Sequence, residues 1–195
     1  MSALRAVPEP ERNPVDAVLD LAPDVAEPGA GAIAGLDPRT DPESLTLCAL
    51  MWSTDIAAAV RVTGALVPAD FAEPAYAELF TVIADLVIRG QPHDPASVAA
   101  VLHRAGGGQR DAPLRRALAD VVTADSAGSS AAVHYAGIVL SQSYRRSFHI
   151  VGRRIMQAAK QGPEDELFDY MVELGRQQRA AWQRLDTFRF GDVIA

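Results

Sequence analysis

A chain of 195 residues, 49% of them hydrophobic, has enough apolar material for one folded domain with chain to spare, which excludes disorder throughout. A formal net charge of −7 argues against a protein whose main task is gripping a nucleic-acid backbone, because such domains carry a basic patch or stripe. No run of about 18 apolar residues is present, no apolar signal segment opens the chain, and the one cysteine, Cys48, excludes an internal disulfide. A cytoplasmic location is the expectation.

Residues 1–40 read as an acidic, proline-rich tail. Pro8, Pro10, Pro14, Pro23, Pro28 and Pro38 recur there among Glu9, Glu11, Asp16, Asp20, Asp24 and Glu27. The short segment Asp16-Ala17-Val18-Leu19-Asp20-Leu21 is too brief to hold a helix in water by itself, and reads as one helical turn or a docking peptide.

From Asp41 the pattern turns helical. Asp41-Pro42-Glu43 places a capping residue before a proline at the first helical position. Leu45, Cys48, Ala49, Trp52 and Ile56 then fall on one predicted face, with a break expected near Gly64. Pro68-Ala69-Asp70-Phe71 reads as a turn. Pro74 opens the clearest amphipathic helix, with Tyr76, Leu79, Phe80, Ile83, Leu86 and Val87 inward, and Gly90 ends it. Asp94-Pro95 starts another helix with Val98, Val101 and Leu102, stopped by Gly106-Gly107-Gly108. Pro113 opens the next, with Leu114, Leu118, Val121 and Val122, and Asp125 to Ser130 reads as a loop.

The longest pattern follows. Val133, Gly137, Leu140, Tyr144, Phe148, Val151 and Ile155 repeat at spacings of three and four, a stripe on a helix of roughly thirty residues and about 45 Å. Gly162 stops it. Pro163 restarts the chain with Glu164, Asp165 and Glu166 in a first turn that suits the helix dipole. Leu167, Met171, Leu174, Gln178, Ala181 and Leu185 form an answering stripe flanked by Trp182. With almost no alternating β-branched sequence, the predicted fold class is all-α: a compact multi-helix head, then a long antiparallel helical hairpin. The boundaries expected are a tail over 1–40, a head over 41–130, a hairpin over 131–187 and a C-terminal tail over 188–195.

Catalytic and cofactor signatures are missing. A phosphate-cradling loop closes on Gly-Lys-Ser or Gly-Lys-Thr, yet the only lysine, Lys160, sits within a predicted helix. His93, His103, His134 and His149 form no zinc-type i, i+4 pair and read as surface or edge residues. Cys48 lies on an apolar stripe and reads as a small core residue rather than a nucleophile. Asp70, Glu73 and Asp94 stand at helix starts, where capping accounts for them. No catalytic residue, metal site or cofactor is assigned.

These residues in their order resemble the N-terminal domain of the bacterial replicative DNA helicase, the DnaB family. The likeness runs from Glu43 to about Ala159. Glu43, Leu47, Ala49 and Leu50 match the family's opening helix, with Cys48 where the family has glycine. Pro68-Ala69-Asp70-Phe71-Ala72-Glu73-Pro74 resembles its Pro-x-Asp-Phe-…-Pro turn. Gly90-Gln91-Pro92-His93-Asp94 resembles its Gly-x-Pro-x-Asp link. Tyr135-Ala136-Gly137-Ile138-Val139 resembles the step into its hairpin, followed by the basic pair Arg145-Arg146. No phosphate loop follows, so the family's ATPase activity is not carried over, and a standalone module rather than a piece of a longer helicase is expected.

The resemblance implies a non-catalytic binding and oligomerisation module connected with DNA replication. It implies self-association as a dimer or ring of dimers, and the replicative helicase, a primase or a helicase loader as partners. Candidate interface residues are Tyr144, Phe148, Val151, Ile155, Leu167, Met171 and Leu174, which could equally pack within one hairpin. Arg145, Arg146, Arg153 and Arg154 lie off that stripe and are candidates to meet an acidic partner. Two other readings stay open: a scaffold of this fold reused in an unrelated assembly, and a weak DNA binder acting through the arginine-rich hairpin, which the net charge disfavours.

Overall fold

The computed structural model describes residues 37–104, 112–124 and 131–191. Most of the tail, the Gly106-Gly107-Gly108 stop, the Asp125–Ser130 loop and residues 192–195 fall outside them. Every regular element among the described residues is helical: α1 Pro42–Met51, α2 Ile56–Ala65, a 3-10 turn Pro68–Asp70, α3 Pro74–Ile88, α4 Pro95–Arg104, α5 Ala112–Thr123, α6 Ala131–Gln161, a second 3-10 turn Glu164–Glu166, and α7 Leu167–Phe190. The chain is all-α, as its sequence predicts.

α1 starts where the sequence places it, with the Asp41 side chain accepting the Glu43 N–H at 3.0 Å. Its predicted one-sided stripe is too narrow. Every residue from Glu43 to Met51 is buried, Leu47 and Leu50 included, so α1 is the central helix, packed by α3, α5 and α6. The predicted continuation to Ile56 is corrected. The helix ends at Met51, Ser53 Oγ accepts the Asp55 N–H at 3.2 Å, and Asp55 caps a new helix by accepting the Ala58 N–H at 3.0 Å. Trp52 and Ile56 consequently point to solvent. Gly64 itself lies within α2, on its open side, and the break expected near it follows at once: the helix ends at Ala65 and Leu66 is extended.

α3 buries Tyr76, Leu79, Phe80, Ile83, Leu86 and Val87, the set its 3.6-residue period predicts. Phe80 stacks at 5.0 Å on Phe71 from the preceding turn. Gly90 ends the helix at φ +63, a left-handed conformation that an L side chain resists. The turn bends the chain back, with the Gln91 N–H on the Leu86 carbonyl, and His93 is buried rather than at the surface as expected. His103, His134 and His149 are exposed. Cys48 is a core residue whose thiol donates to the Ala124 carbonyl at 3.0 Å.

α6 divides into two parts. Its first third packs into the head through Ala132, Ala136, Val139 and Leu140, a face rotated from the stripe predicted from sequence. Beyond it α6 pairs with α7. The short connection at Gly162–Glu166 reverses the chain, and the two helices run antiparallel: Phe188 lies against Gly137, and Ser147 Oγ reaches Gln178 Oε1 at 2.9 Å. α7 continues to Phe190, and Leu185 and Phe188 return to the core of the head.

Candidate functional site

The hairpin carries the candidate surface, and the joint that fixes it to the head comes first. Asp70 ends the Pro68–Asp70 turn and is 1% exposed. Its Oδ2 accepts the Val67 N–H at 2.8 Å, which closes the turn locally. Its Oδ1 accepts from Ser143 Oγ and from Arg184 Nη2, each at 2.6 Å, one donor on either leg of the hairpin. Arg146 donates to the Asp70 carbonyl and pairs with Glu43 at 3.3 Å. Glu43 also accepts the Ala72 N–H at 2.8 Å, holding the chain between the turn and α3. A second tie joins α2 to the end of α7: Arg61 donates to the Phe188 carbonyl at 2.8 Å, with its guanidinium 5.1 Å from the Phe188 ring centroid.

Burial pushes the Glu43 carboxyl above the usual carboxylate range, and the Ala72 and Glu73 N–H groups and Arg146 pull it only partly back. Asp41 is raised for the same first reason, its burial. The joint thus sets two buried acidic side chains, Asp70 and Glu43, against two half-buried arginines, Arg184 and Arg146, and its effect is to fix geometry. Capping alone does not account for Asp70, and sequence reasoning missed its long-range role. The available signal was its place in the Pro-x-Asp-Phe turn together with the basic pair Arg145-Arg146.

The predicted interface residues separate into three groups. Leu174 is buried between the helices, and Tyr144 belongs to the margin of the core. Val151 and Leu167 are half-buried between the legs. Phe148, Ile155 and Met171 face solvent, at 52%, 39% and 49% exposure, and Met156 and Phe168 join them. Phe148 is held by an edge-on contact with Tyr144 at 5.0 Å. Several large apolar side chains gathered on one hairpin exceed the scattered exposure ordinary for a surface. At its tip a shallow hollow of 470 Å³ is lined by Ala158, Gly162, Pro163, Glu166, Leu167, Asp169 and Tyr170.

The four arginines separate as well. Arg145, Arg153 and Arg154 are exposed and form no ion pair among the described residues. Arg146 is corrected: its guanidinium turns inward to Glu43 and Asp70, because it sits about 100° round the helix from Arg145 and, about two turns before Arg153, is still alongside the Pro68–Asp70 turn. Among the described residues no three of His, Cys, Asp and Glu converge as a metal-ligand set, and no helix is long and apolar enough to cross a membrane.

Comparison with known proteins follows the same lines. The family model of the DnaB-like helicase N-terminal domain matches residues 38–141. A 98-residue stretch is 38% identical to the replicative DNA helicase DnaB of Mycobacterium leprae, and takes in 49% of this chain but 15% of that protein. The crystal structure of the N-terminal domain of DnaB helicase from Mycobacterium tuberculosis superposes with a TM-score of 0.54 at 29% sequence identity, covering 72% of this chain and 93% of that one.

Proposed function

Because the chain belongs to the DnaB-like helicase N-terminal domain family, we propose that it is a non-catalytic module for self-association and protein binding in DNA replication. The observation that carries this reading is the hairpin: Phe148, Ile155, Met156, Phe168 and Met171 stand exposed on two helices locked to the head by Asp70, Arg184 and Arg146. An apolar face on a rigid support suits association, because little is lost in ordering it. Partners of the reading are a second copy of the chain and a replicative helicase, primase or helicase loader. A cytoplasmic location belongs to the same reading.

Light scattering on a sizing column tests it, with the chain alone and then mixed with a replicative helicase or a primase from its host. A dimer or larger ring that co-elutes with either protein supports the proposal. Self-association without either partner moves the reading to a scaffold reused elsewhere. α6 carries Arg145, Arg146, Arg153, Arg154 and Lys160 and no acidic residue, so DNA is included as a third partner. Salt-dependent affinity for a duplex, with no protein partner, would favour the DNA-binding reading.

A further inference from the structure

The outer side of α2 carries an apolar surface away from the hairpin. Ala59, Val62 and Thr63 turn inward, where α2 packs on α3 and α6. On the other side, every exposed residue from Ile56 to Val67 lacks a polar side chain: Ile56, Ala57, Val60, Gly64 and Val67. At 3.6 residues per turn, Ile56, Val60, Gly64 and Ala57 fall within an arc of about 100°, so they form one stripe. Ile56 and Val60 are each more than half exposed, as is Trp52 in the turn that leads to α2. Arg61, the only charged residue of α2, donates to the Phe188 carbonyl and lies over that ring. Gly64 adds a second observation. Among the described residues only Gly90 has a positive φ, and a Cβ added at Gly64 would meet nothing within 4 Å. No turn or internal contact therefore requires glycine at this position, where alanine would favour the helix. Bare backbone on an apolar stripe instead lets another molecule approach closely.

We propose that this stripe docks a single amphipathic helix of another protein, apolar and uncharged along the side that meets α2. Size selects that occupant. α2 has 10 residues, about 15 Å at 1.5 Å per residue, and a helix is about 10 Å wide. Such a strip is far below the ~800 Å² per partner that a stable pair of folded domains buries, and it fits one helix laid along it. A second copy of this chain meeting it here would bury too little to hold. Charge disfavours two other occupants. A nucleic-acid backbone calls for cations, and a bilayer surface favours an apolar helix face flanked by Lys and Arg. α2 offers only Arg61, already engaged with Phe188. The Asp55 cap, the inward packing and the Arg61 tie hold α2 in place, so docking loses little in ordering it. The stripe is separate from the hairpin, so this proposal stands or falls independently of the self-association above.

Photocrosslinking of the full chain in its host tests this. p-Benzoylphenylalanine replaces Val60 and, in a control chain, the exposed Glu78 of α3. Mass spectrometry maps the linked segment, which is then synthesised as a labelled peptide and titrated with the purified chain by fluorescence anisotropy. The expected result is one segment of one protein, linked from position 60 and not from position 78. Its apolar residues should recur three and four apart, with no charge among them. Its peptide is expected to bind with micromolar Kd, and Val60→Arg and Ile56→Arg should each weaken it at least about tenfold. Affinity should change less than about twofold between about 50 and about 500 mM salt, because no ion pair contributes. Gly64→Leu has open space in the free chain, so its Tm should not fall, whereas its peptide affinity should drop at least about tenfold. Circular dichroism on each variant separates misfolding from lost docking. Links from position 60 that are absent or match those from position 78 overturn the proposal. So do links to a second copy, a lipid or a nucleic acid, and a peptide whose affinity Val60→Arg or Gly64→Leu leaves unchanged.

Discussion

Replacing Asp70 by alanine removes one carboxylate and strands three donors. The Val67 N–H, the Ser143 hydroxyl and the Arg184 guanidinium all lose their acceptor, at distances of 2.8, 2.6 and 2.6 Å in the wild type. A donor left unpaired in a buried site costs about 1–3 kcal/mol, and breaking a fully buried ion pair costs about 3–5 kcal/mol. Arg184 is 34% exposed on its side chain, so it can turn to water and recover part of that loss. The expected cost of Asp70→Ala is about 3 kcal/mol, and in a chain of this size each kcal/mol lowers Tm by about 2–4 °C, hence about 6–12 °C in all. Thermal and urea unfolding followed by circular dichroism measure it. A double-mutant cycle with Arg184→Met is the sharper assay. Arg184→Met alone leaves a buried carboxylate without its cation, whereas Asp70→Ala with Arg184→Met leaves neither charge, so the double variant is expected to be about 1–2 kcal/mol more stable than additivity demands. An Asp70→Ala chain within about 1 kcal/mol of wild type, or a cycle with no coupling, would refute a joint built on this pair.

Other expectations follow from the same geometry. Glu43 and Asp41 titrate near 4.5 and 3.8 when unperturbed, and burial raises both in the folded chain. Between the ordinary and raised values the folded chain holds more protons than the unfolded one, so their ionisation lowers stability as pH rises through the raised values. The stability of wild type relative to Glu43→Gln should therefore fall as pH increases above 4.5, and unfolding curves across that range would count against it if the difference grew. Leu174→Ala is expected to cost about 2–4 kcal/mol, since Leu174 is 2% exposed between the two legs, whereas Met171→Ala on the open side should stay within about 1 kcal/mol of wild type; equal losses in denaturant would contradict the assignment of faces. At Gly162 an added Cβ would stand 2.7 Å from the Ala158 carbonyl oxygen and 3.2 Å from Leu167 Cδ2. Gly162→Ala should lower Tm by several degrees, through a backbone shift of about 1–2 kcal/mol at the reversal.

Helix positions and the apolar faces of the head are legible in the sequence because they rest on local rules. Asp41-Pro42 and Pro74 start helices, Gly90 turns left-handed, and the six inward residues of α3 follow its period. Two features escape such rules. α1 is buried on every side, so a search for one stripe finds only part of its apolar surface and runs past its end into Trp52 and Ile56. Asp70, Ser143, Arg146 and Arg184 meet only once both legs of the hairpin have returned to the head, and nothing in their spacing announces it. The candidate surface is half legible for a related reason. A heptad-like stripe marks the side on which two helices meet, which is where Leu174 belongs. The residues left facing solvent, Phe148 and Met171, lie at the margin of that stripe.

The return of α7 to the head has a consequence for the order of assembly during synthesis. Arg184 meets Asp70 across 114 positions and Arg61 meets the Phe188 carbonyl across 127. Local helices form in about a microsecond, whereas contacts this distant in sequence must wait for the intervening chain to exist. A ribosome adding about 5–20 residues per second exposes the Asp70 turn several seconds before Arg184 emerges. During that interval the Asp70 carboxylate lacks its cation and the underside of the head lacks Leu185 and Phe188. α7 thus acts as a clasp: the head closes when the second leg arrives, and the candidate surface and the fold are completed in the same event.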